Sequence, residues 1–492
     1  MKPSPFLQDD RSLKPDKWQT VVLYLPFALM ACLYTGFALY QLQNLIYNGQ
    51  QIGLAVAALA VLLAAGYGLV RLYARRPRVA VVLLLLVAAG LRLCFALSLP
   101  TAPMSDFQAF YQAAEEMRTG SLAWTHVYTS DDYFYRWAYQ IPFTLYEAGI
   151  LSICPSIVAV KLADVLWMTL SVFLVYRIAS RFTASPWAIG FAFVYAVDPS
   201  AIYLVNMMSN QPVSTFLLLW GLYTLLSSKR WYGFALAGAL LGLHQLMRPE
   251  GIIALLAIGA CCVYRIILSP HRALLLRTAG QLALVVGCYL LVTMGTEQLL
   301  IATDVAPNGI GNLRPEHRFA IGLNFASHHG EYNNDSAYIY RIDDAGQRKQ
   351  ALRQFIAQRY QQCDKPLSFF LRKISCYWTD ASPYFWLLNG VDQPNPPFGL
   401  TAETLYPVLS TLELCLRAFL YGFSWIALIL RLVRRQIRPL AQNPAALLCM
   451  AILGCAFCAF LILEVQPKYR YYVLPFLYCL AALLAFKKPQ AD

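Results

Sequence analysis

What most constrains this chain is the recurrence of apolar runs long enough to cross a bilayer. Such runs lie near 18–40, 51–73, 79–98, 157–180, 186–205, 211–227, 231–247, 251–268, 274–302, 404–432, 445–463 and 469–486, and a spanning helix uses about 20 residues. Lipid offers no partner for backbone N–H and C=O groups, so each run reads as a helix that satisfies its own backbone. Composition agrees: 59% of residues are hydrophobic and only 13% charged, against about 25% charged in a soluble domain. A soluble protein and a disordered chain are both excluded. The expected fold class is an all-α polytopic membrane protein of about 12 transmembrane helices, with two large extracytoplasmic loops bearing short helices.

The net charge of +13 follows a pattern along the chain. Lys2, Arg11, Lys14 and Lys17 precede the first run. Arg71, Arg75, Arg76 and Arg78 follow the second, Arg177 and Arg181 the fourth, and Lys229 and Arg230 the sixth. Arg265, Arg272 and Arg277 surround the next turn of this kind. Arg431, Arg434, Arg435 and Arg438 follow the tenth run, and Lys487 and Lys488 the last. Every second connection is basic, as expected of cytoplasmic loops. The charge therefore orients a multi-pass membrane protein with both termini cytoplasmic, and no nucleic-acid partner is expected. The first run lacks the features of a cleaved signal and reads as a retained span.

Four regions follow. Residues 1–78 form an N-terminal cytoplasmic segment and a transmembrane hairpin; 79–302 form a core that includes an outer loop at 99–156. Residues 303–403 form a second, larger extracytoplasmic loop, and 404–492 hold the C-terminal helices. Loops of this size are usually functional. No internal repeat of the kind that builds two-halved transporters is visible. The 13 cysteines lie mostly within apolar runs, where free cysteine acts as a small hydrophobe. Cys363 and Cys376 share a polar segment and could pair.

The first outer loop opens Met104-Ser105-Asp106-Phe107-Gln108. Ser105 and Gln108 have capping-box spacing, and Phe107, Phe110, Tyr111, Ala114 and Met117 recur at helical spacing up to Gly120. A short amphipathic helix lying at the bilayer interface is expected. Asp106 would sit in its first turn, either as a residue that simply suits a helix N-terminus or as a general base or metal ligand. Further along, Asp131 and Asp132 stand among aromatic residues, as a metal or sugar-hydroxyl site or as a solvated loop. Two basic clusters at outer span ends have no topological role. One is His244 through Gly251, with Arg248 and Glu250; the other is Glu464 through Tyr472, with Lys468, Tyr469 and Arg470. Charges beside hydrocarbon are costly and mark candidate sites, although Arg248 and Glu250 also read as a structural ion pair. Together with Asp106 these clusters read as a seat for an anionic lipid head group.

This arrangement resembles the GT-C superfamily of membrane glycosyltransferases, in the branch of protein O-mannosyltransferases and lipid A aminoarabinose transferases, bacterial members included. The resemblance rests on Ser105-Asp106-Phe107 with Tyr111, Ala113 and Ala114; on Arg248-Pro249-Glu250-Gly251; on Gly322-Leu323-Asn324-Phe325 with Gly330, Asn333 and Asp335; on Pro366 through Lys373 with Trp378; and on Glu464 through Tyr472. It spans about 79–486 and leaves the first two runs outside. It implies Asp106 as the catalytic carboxylate and Arg248, Lys468 and Arg470 around a donor phosphate. Asp131, Asp132, Glu250, Asn324, Lys373, Glu464 and Tyr469 complete the candidate substrate-binding set.

The implied donor is a polyprenyl-phosphate-linked sugar, with membrane lipids as surroundings and a glycan, lipid or protein as acceptor. The implied reaction is hexosyl or pentosyl transfer on the extracytoplasmic side. No cofactor is certain, but a divalent metal ion at Asp106 is considered. Where many relatives carry a second acid this chain has Asn206, Asn210 and Gln211, which weakens a two-carboxylate site. Two other classes fit a polytopic chain: a lipid or solute transporter or flippase, and a polysaccharide polymerase or ligase. A transporter would place ionisable residues at mid-membrane, whereas the notable charges of this chain collect at the outer interface, apart from Arg92 near the end of the third run. In the second outer loop a helix is expected near 345–361, capped by Asp344.

Overall fold

A computed structural model describes residues 16–49, 51–129, 132–183, 185–269, 272–311, 316–326, 328–388 and 401–485. Among them there is no strand. The helices run in order: α1 (Lys17–Asn48), α2 (Ile52–Arg75), α3 (Pro77–Ser98), α4 (Asp106–Arg118), α5 (Tyr133–Arg136), α6 (Ile141–Ile153), α7 (Ile157–Phe182), α8 (Trp187–Ala196), α9 (Pro199–Tyr203), α10 (Gln211–Ser227) and α11 (Trp231–Met247). They continue with α12 (Gly251–Leu268), α13 (Arg272–Ala302), α14 (Glu316–Gly322), α15 (Ala337–Tyr340), α16 (Ala345–Gln361), α17 (Pro366–Trp378), α18 (Tyr384–Leu387), α19 (Ala402–Val433), α20 (Arg438–Ala441), α21 (Pro444–Ile462) and α22 (Leu474–Leu484).

Helices occupy all twelve predicted runs, but not all in the same way. Eight (α1, α2, α3, α7, α12, α13, α19 and α21) are individually long and apolar enough to cross a membrane. A ninth crossing would be the pair Trp187–Ala196 and Pro199–Asn206, bent by 56°. The bend falls at Asp198-Pro199, where the Asp198 carboxylate accepts from the Ser200 N–H and caps the second segment. Helices α10 and α11 have 17 residues each, at the short end for a span. The last run differs most. Residues Pro467–Arg470 make a 3-10 turn and α22 keeps only 11 residues. Pro467 opens the 3-10 turn and Pro475 lies in the first turn of α22, and every residue of α22 is buried in the bundle, as suits a helix that is apolar all round.

The bundle is packed by pairs, α1 with α19, α3 with α7, α10 with both α7 and α11, and α12 with α21. Between α11 and α13 the backbones come together at Gly238 and Gly242. A Cβ at Gly238 would lie 2.3 Å from the Val285 carbonyl oxygen, and one at Gly242 2.8 Å from Val292 Cβ. Small residues four apart permit such an approach between membrane helices.

The two large loops meet at one end of the bundle. The Asn308 amide donates to the Val127 carbonyl at 2.8 Å, and Arg318 donates to the Tyr139 hydroxyl. The expected helix α16 is present, with Asp344 accepting from the Gln347 N–H at 2.7 Å. Helix α4 also forms, but Phe107, Phe110, Ala113 and Ala114 are buried and the helix packs on α6. Its apolar face is covered by protein instead of lying on a bilayer.

All 13 cysteines are free, Cys363 and Cys376 included. In the bundle interior Asp198, Glu413, Arg417 and Arg470 form a buried ionic group. Glu413 Oε1 lies 3.1 Å from Arg417 and 2.6 Å from Arg470, and Asp198 lies 3.7 Å from Arg417. Two acids and two bases, these four offset one another.

Candidate functional site

The loop-bearing end holds a cleft of about 1020 Å³. Asp106, Arg248, Glu250, Glu464, Lys468 and Tyr469 line it, so six expected residues from three distant segments meet in one place. Each arrives by a different local device.

Asp106 is delivered by a turn. Ser105 has φ of 50°, a left-handed value that costs a residue with a Cβ, and its side chain makes no cap. The expected capping box is therefore absent, though the helix begins where anticipated. The turn leaves Asp106 in the first turn of α4, where the unpaired N–H groups favour a carboxylate. Beside it stands Tyr133. Burial, then the charge of Asp106 and a hydrogen bond to it, push the Tyr133 hydroxyl well above its ordinary pKa, so this phenol stays protonated.

Lys468 comes from the 3-10 turn after α21. It is 6% exposed, and its ammonium lies 5.5 Å from the Phe107 ring centre and 5.9 Å from that of Tyr469. Burial lowers its pKa, while Asp106 and Glu464 oppose the shift.

Arg248 and Glu250 sit in the break between α11 and α12. They form the ion pair that the sequence offered as one reading, with Nε 2.8 Å from Oε1. The same guanidinium donates to Asn210 Oδ1 at 3.1 Å and lies 5.4 Å from the Tyr469 ring centre. Burial lowers the Arg248 pKa, but Glu250 outweighs it and keeps the arginine charged. Tyr469 in turn donates to Glu464 at 2.8 Å.

The sequence reading missed Arg318. It lines the same cleft from α14 and lies 5.0 Å from the Tyr139 ring centre. Burial would lower its pKa, yet Tyr139, Tyr469 and Glu464 together hold it above the ordinary arginine value. Three cations, Arg248, Arg318 and Lys468, thus act around Tyr469, and Lys468 also faces Asp106. An arginine in a polar loop is unremarkable in a sequence; only its place one helical turn before Gly322 could have drawn notice. The lining is not positive overall. The carboxylates Asp106, Glu250, Glu331, Asp380 and Glu464 face Arg248, Arg318, Arg372 and Lys468. What distinguishes the site is where the charges fall.

Four other expected residues lie elsewhere. The resemblance placed Arg470 on the phosphate, but its guanidinium is 1% exposed, lies 2.6 Å from Glu413 and is not among the cleft residues. The reason is local: a 3-10 turn advances three residues per turn, so positions 468 and 470 face different ways. Asn324 is buried, donating to Asn333 Oδ1 at 3.2 Å and Asp335 Oδ2 at 3.0 Å. Lys373 is buried and donates to the Gly322 carbonyl, and burial lowers its pKa to about 7. Both hold parts of the second loop to one another. Asp132 accepts from the Thr129 hydroxyl at 2.7 Å and closes a turn. Asp131 falls outside the described residues.

Among the described residues no group of three or more His, Cys, Asp or Glu is placed to hold a metal ion. A divalent cation at Asp106 would need further oxygen ligands. The Asn210 oxygen, however, is taken by Arg248, and the charge beside Asp106 is the Lys468 ammonium. These residues do not fit a metal at this position.

Residues 148–295 match the family of dolichyl-phosphate-mannose-protein mannosyltransferases, a GT-C superfamily family. The match supports a membrane glycosyltransferase of the GT-C type. It runs from α6 into α13 and contains Arg248, Glu250 and Asn210; Asp106, Arg318 and the 464–469 segment lie outside it. No curated protein and no solved structure matches the chain.

Proposed function

We propose that the protein transfers one sugar, a hexose or pentose, from a polyprenyl-phosphate donor to a hydroxyl-bearing acceptor on the extracytoplasmic face of the plasma membrane, with both termini cytoplasmic. The observation that carries this reading is the convergence of Arg248, Arg318 and Lys468 on a cleft whose lining also holds Asp106. The apolar residues Ile252 and Leu256 line the same cleft and are more than half exposed. They give a lipid tail an apolar path beside the phosphate seat.

In this mechanism Asp106 takes the proton of the acceptor hydroxyl as its oxygen bonds to the anomeric carbon. The bond from that carbon to the phosphate oxygen breaks, and the polyprenyl phosphate leaves with the electron pair. Arg248, Arg318 and Lys468 neutralise the charge that builds on it, a stabilisation that often dominates catalysis. Guanidinium groups suit a phosphate geometrically, and Lys468 acts as a point charge. No step requires a metal.

The test is the steady-state kinetics of purified variants. Asp106→Asn should lower kcat by about 100-fold or more, and Arg318→Ala should raise the donor KM by about tenfold or more. A folded Asp106→Asn protein with the original kcat would remove the carboxylate from the chemistry.

A further inference from the structure

One part of the cleft takes no part in the donor reading. It is built by α1, α17, the corner into α18, and α19, and it brings Asn44, Tyr47, Arg372, Asp380, Phe385 and Tyr406 to one wall. Asn44 and Tyr47 come from the N-terminal hairpin, which lies outside both the family match and the sequence resemblance. That hairpin is tied to the site. Asn44 donates to Thr379 and to Asp380, each at 3.0 Å, and Gln41 donates to the Leu414 carbonyl. Asp380 lies 3.3 Å from Arg372, whose side chain is about half exposed. Three exposed rings line the same part of the cleft: Tyr47 at 78%, Phe385 at 58% and Tyr406 at 42%.

We infer that this wall is the acceptor subsite and that its ligand is a saccharide, so that the hydroxyl receiving the sugar belongs to a glycan. The inference rests on the glycosyl-transfer reading above and names its acceptor class. Sugar rings offer two chemistries at once: an edge of hydroxyls and a face of C–H bonds. Guanidinium, carboxylate and amide groups pair with hydroxyls as directional donors and acceptors, and exposed aromatic faces cover C–H surface. The wall presents both. Tyrosines at the ends of membrane helices also serve as interfacial anchors. For Tyr47 and Tyr406 that role is the outcome opposed to the inference.

The full chain in detergent micelles is given polyprenyl-phosphate-linked radiolabelled sugar and one of two acceptor probes. The first is lipid-free oligosaccharide released from the source cell envelope by mild acid; the second is tryptic peptides from the same envelope. Label should enter the oligosaccharide. Tyr47→Ala and Arg372→Ala should each raise the oligosaccharide KM by about five- to tenfold, with kcat at saturating acceptor changed less than about twofold. Tyr47→Phe, which keeps the ring, should restore the KM. Label entering the peptides, or an unchanged KM in both alanine variants, would overturn the saccharide assignment. Label entering the peptides would leave the transfer reading standing while the saccharide assignment fails; label entering neither probe would overturn both.

Discussion

At the scale of single residues, position in the fold decides what each charge can do. Lys468 and Arg470 are two apart in a motif rich in both bases, yet one lines the cleft and the other binds Glu413. The sequence made both candidates because charge beside hydrocarbon is costly wherever it points. It could not choose between them, because the choice depends on a 3-10 turn that reads as the start of a span. Arg318 was illegible for the opposite reason, as one arginine among the many polar residues of a large loop. Burial lowers the Lys468 pKa, so above that pKa the ammonium is lost and donor binding should weaken at a pH where an ordinary lysine is still charged. Measured between about pH 6 and 10, donor KM should rise on the alkaline side, and in Lys468→Arg the rise should move to higher pH. An identical alkaline limb in the two proteins would show that another group titrates there.

Among the elements, those that form by local rules were legible and those set by tertiary docking were not. Helix α16 and its Asp344 cap followed from spacing and cap chemistry. Helix α4 began as expected, but through a strained Ser105 instead of a side-chain cap. The Gly322 and Gly330 motif was visible only as a resemblance; the fold supplies its cause. A Cβ at Gly322 would lie 2.4 Å from the Ile462 carbonyl oxygen and 2.7 Å from the Glu464 nitrogen, and the Val465 N–H donates to the Gly330 carbonyl at 2.9 Å. The second loop thus docks directly on the strand of chain that leads to Lys468 and Tyr469. Gly322→Ala should force these backbones apart, cost roughly 1–3 kcal/mol and raise donor KM together with the loss of thermal stability. A variant with unaltered unfolding midpoint and KM would show that the docking is slack.

For the whole molecule, the apolar runs fixed an all-helical bundle and the ends at which its loops emerge, because hydrocarbon thickness is a strict ruler. What composition could not reveal was how the interior is held. Asp198, the Glu413–Arg417 pair one turn apart on α19, and Arg470 come from three segments far apart in sequence, and the group is complete only once the chain is folded. Breaking a buried pair costs about 3–5 kcal/mol. Arg470→Met should therefore lower the unfolding midpoint and the yield of folded protein, unlike Arg248→Ala, which should act on donor KM. A stable Arg470→Met protein with a raised donor KM would return Arg470 to the phosphate.

The central claim is that this bundle accepts a polyprenyl-linked sugar through a single phosphate and delivers it with Asp106 as base. Its most direct test is sugar transfer by the purified protein in liposomes, from polyprenyl-monophosphate and polyprenyl-pyrophosphate donors side by side. The account predicts transfer from the monophosphate that is lost in Asp106→Asn. Transfer from the pyrophosphate alone, or undiminished transfer by Asp106→Asn, would contradict it.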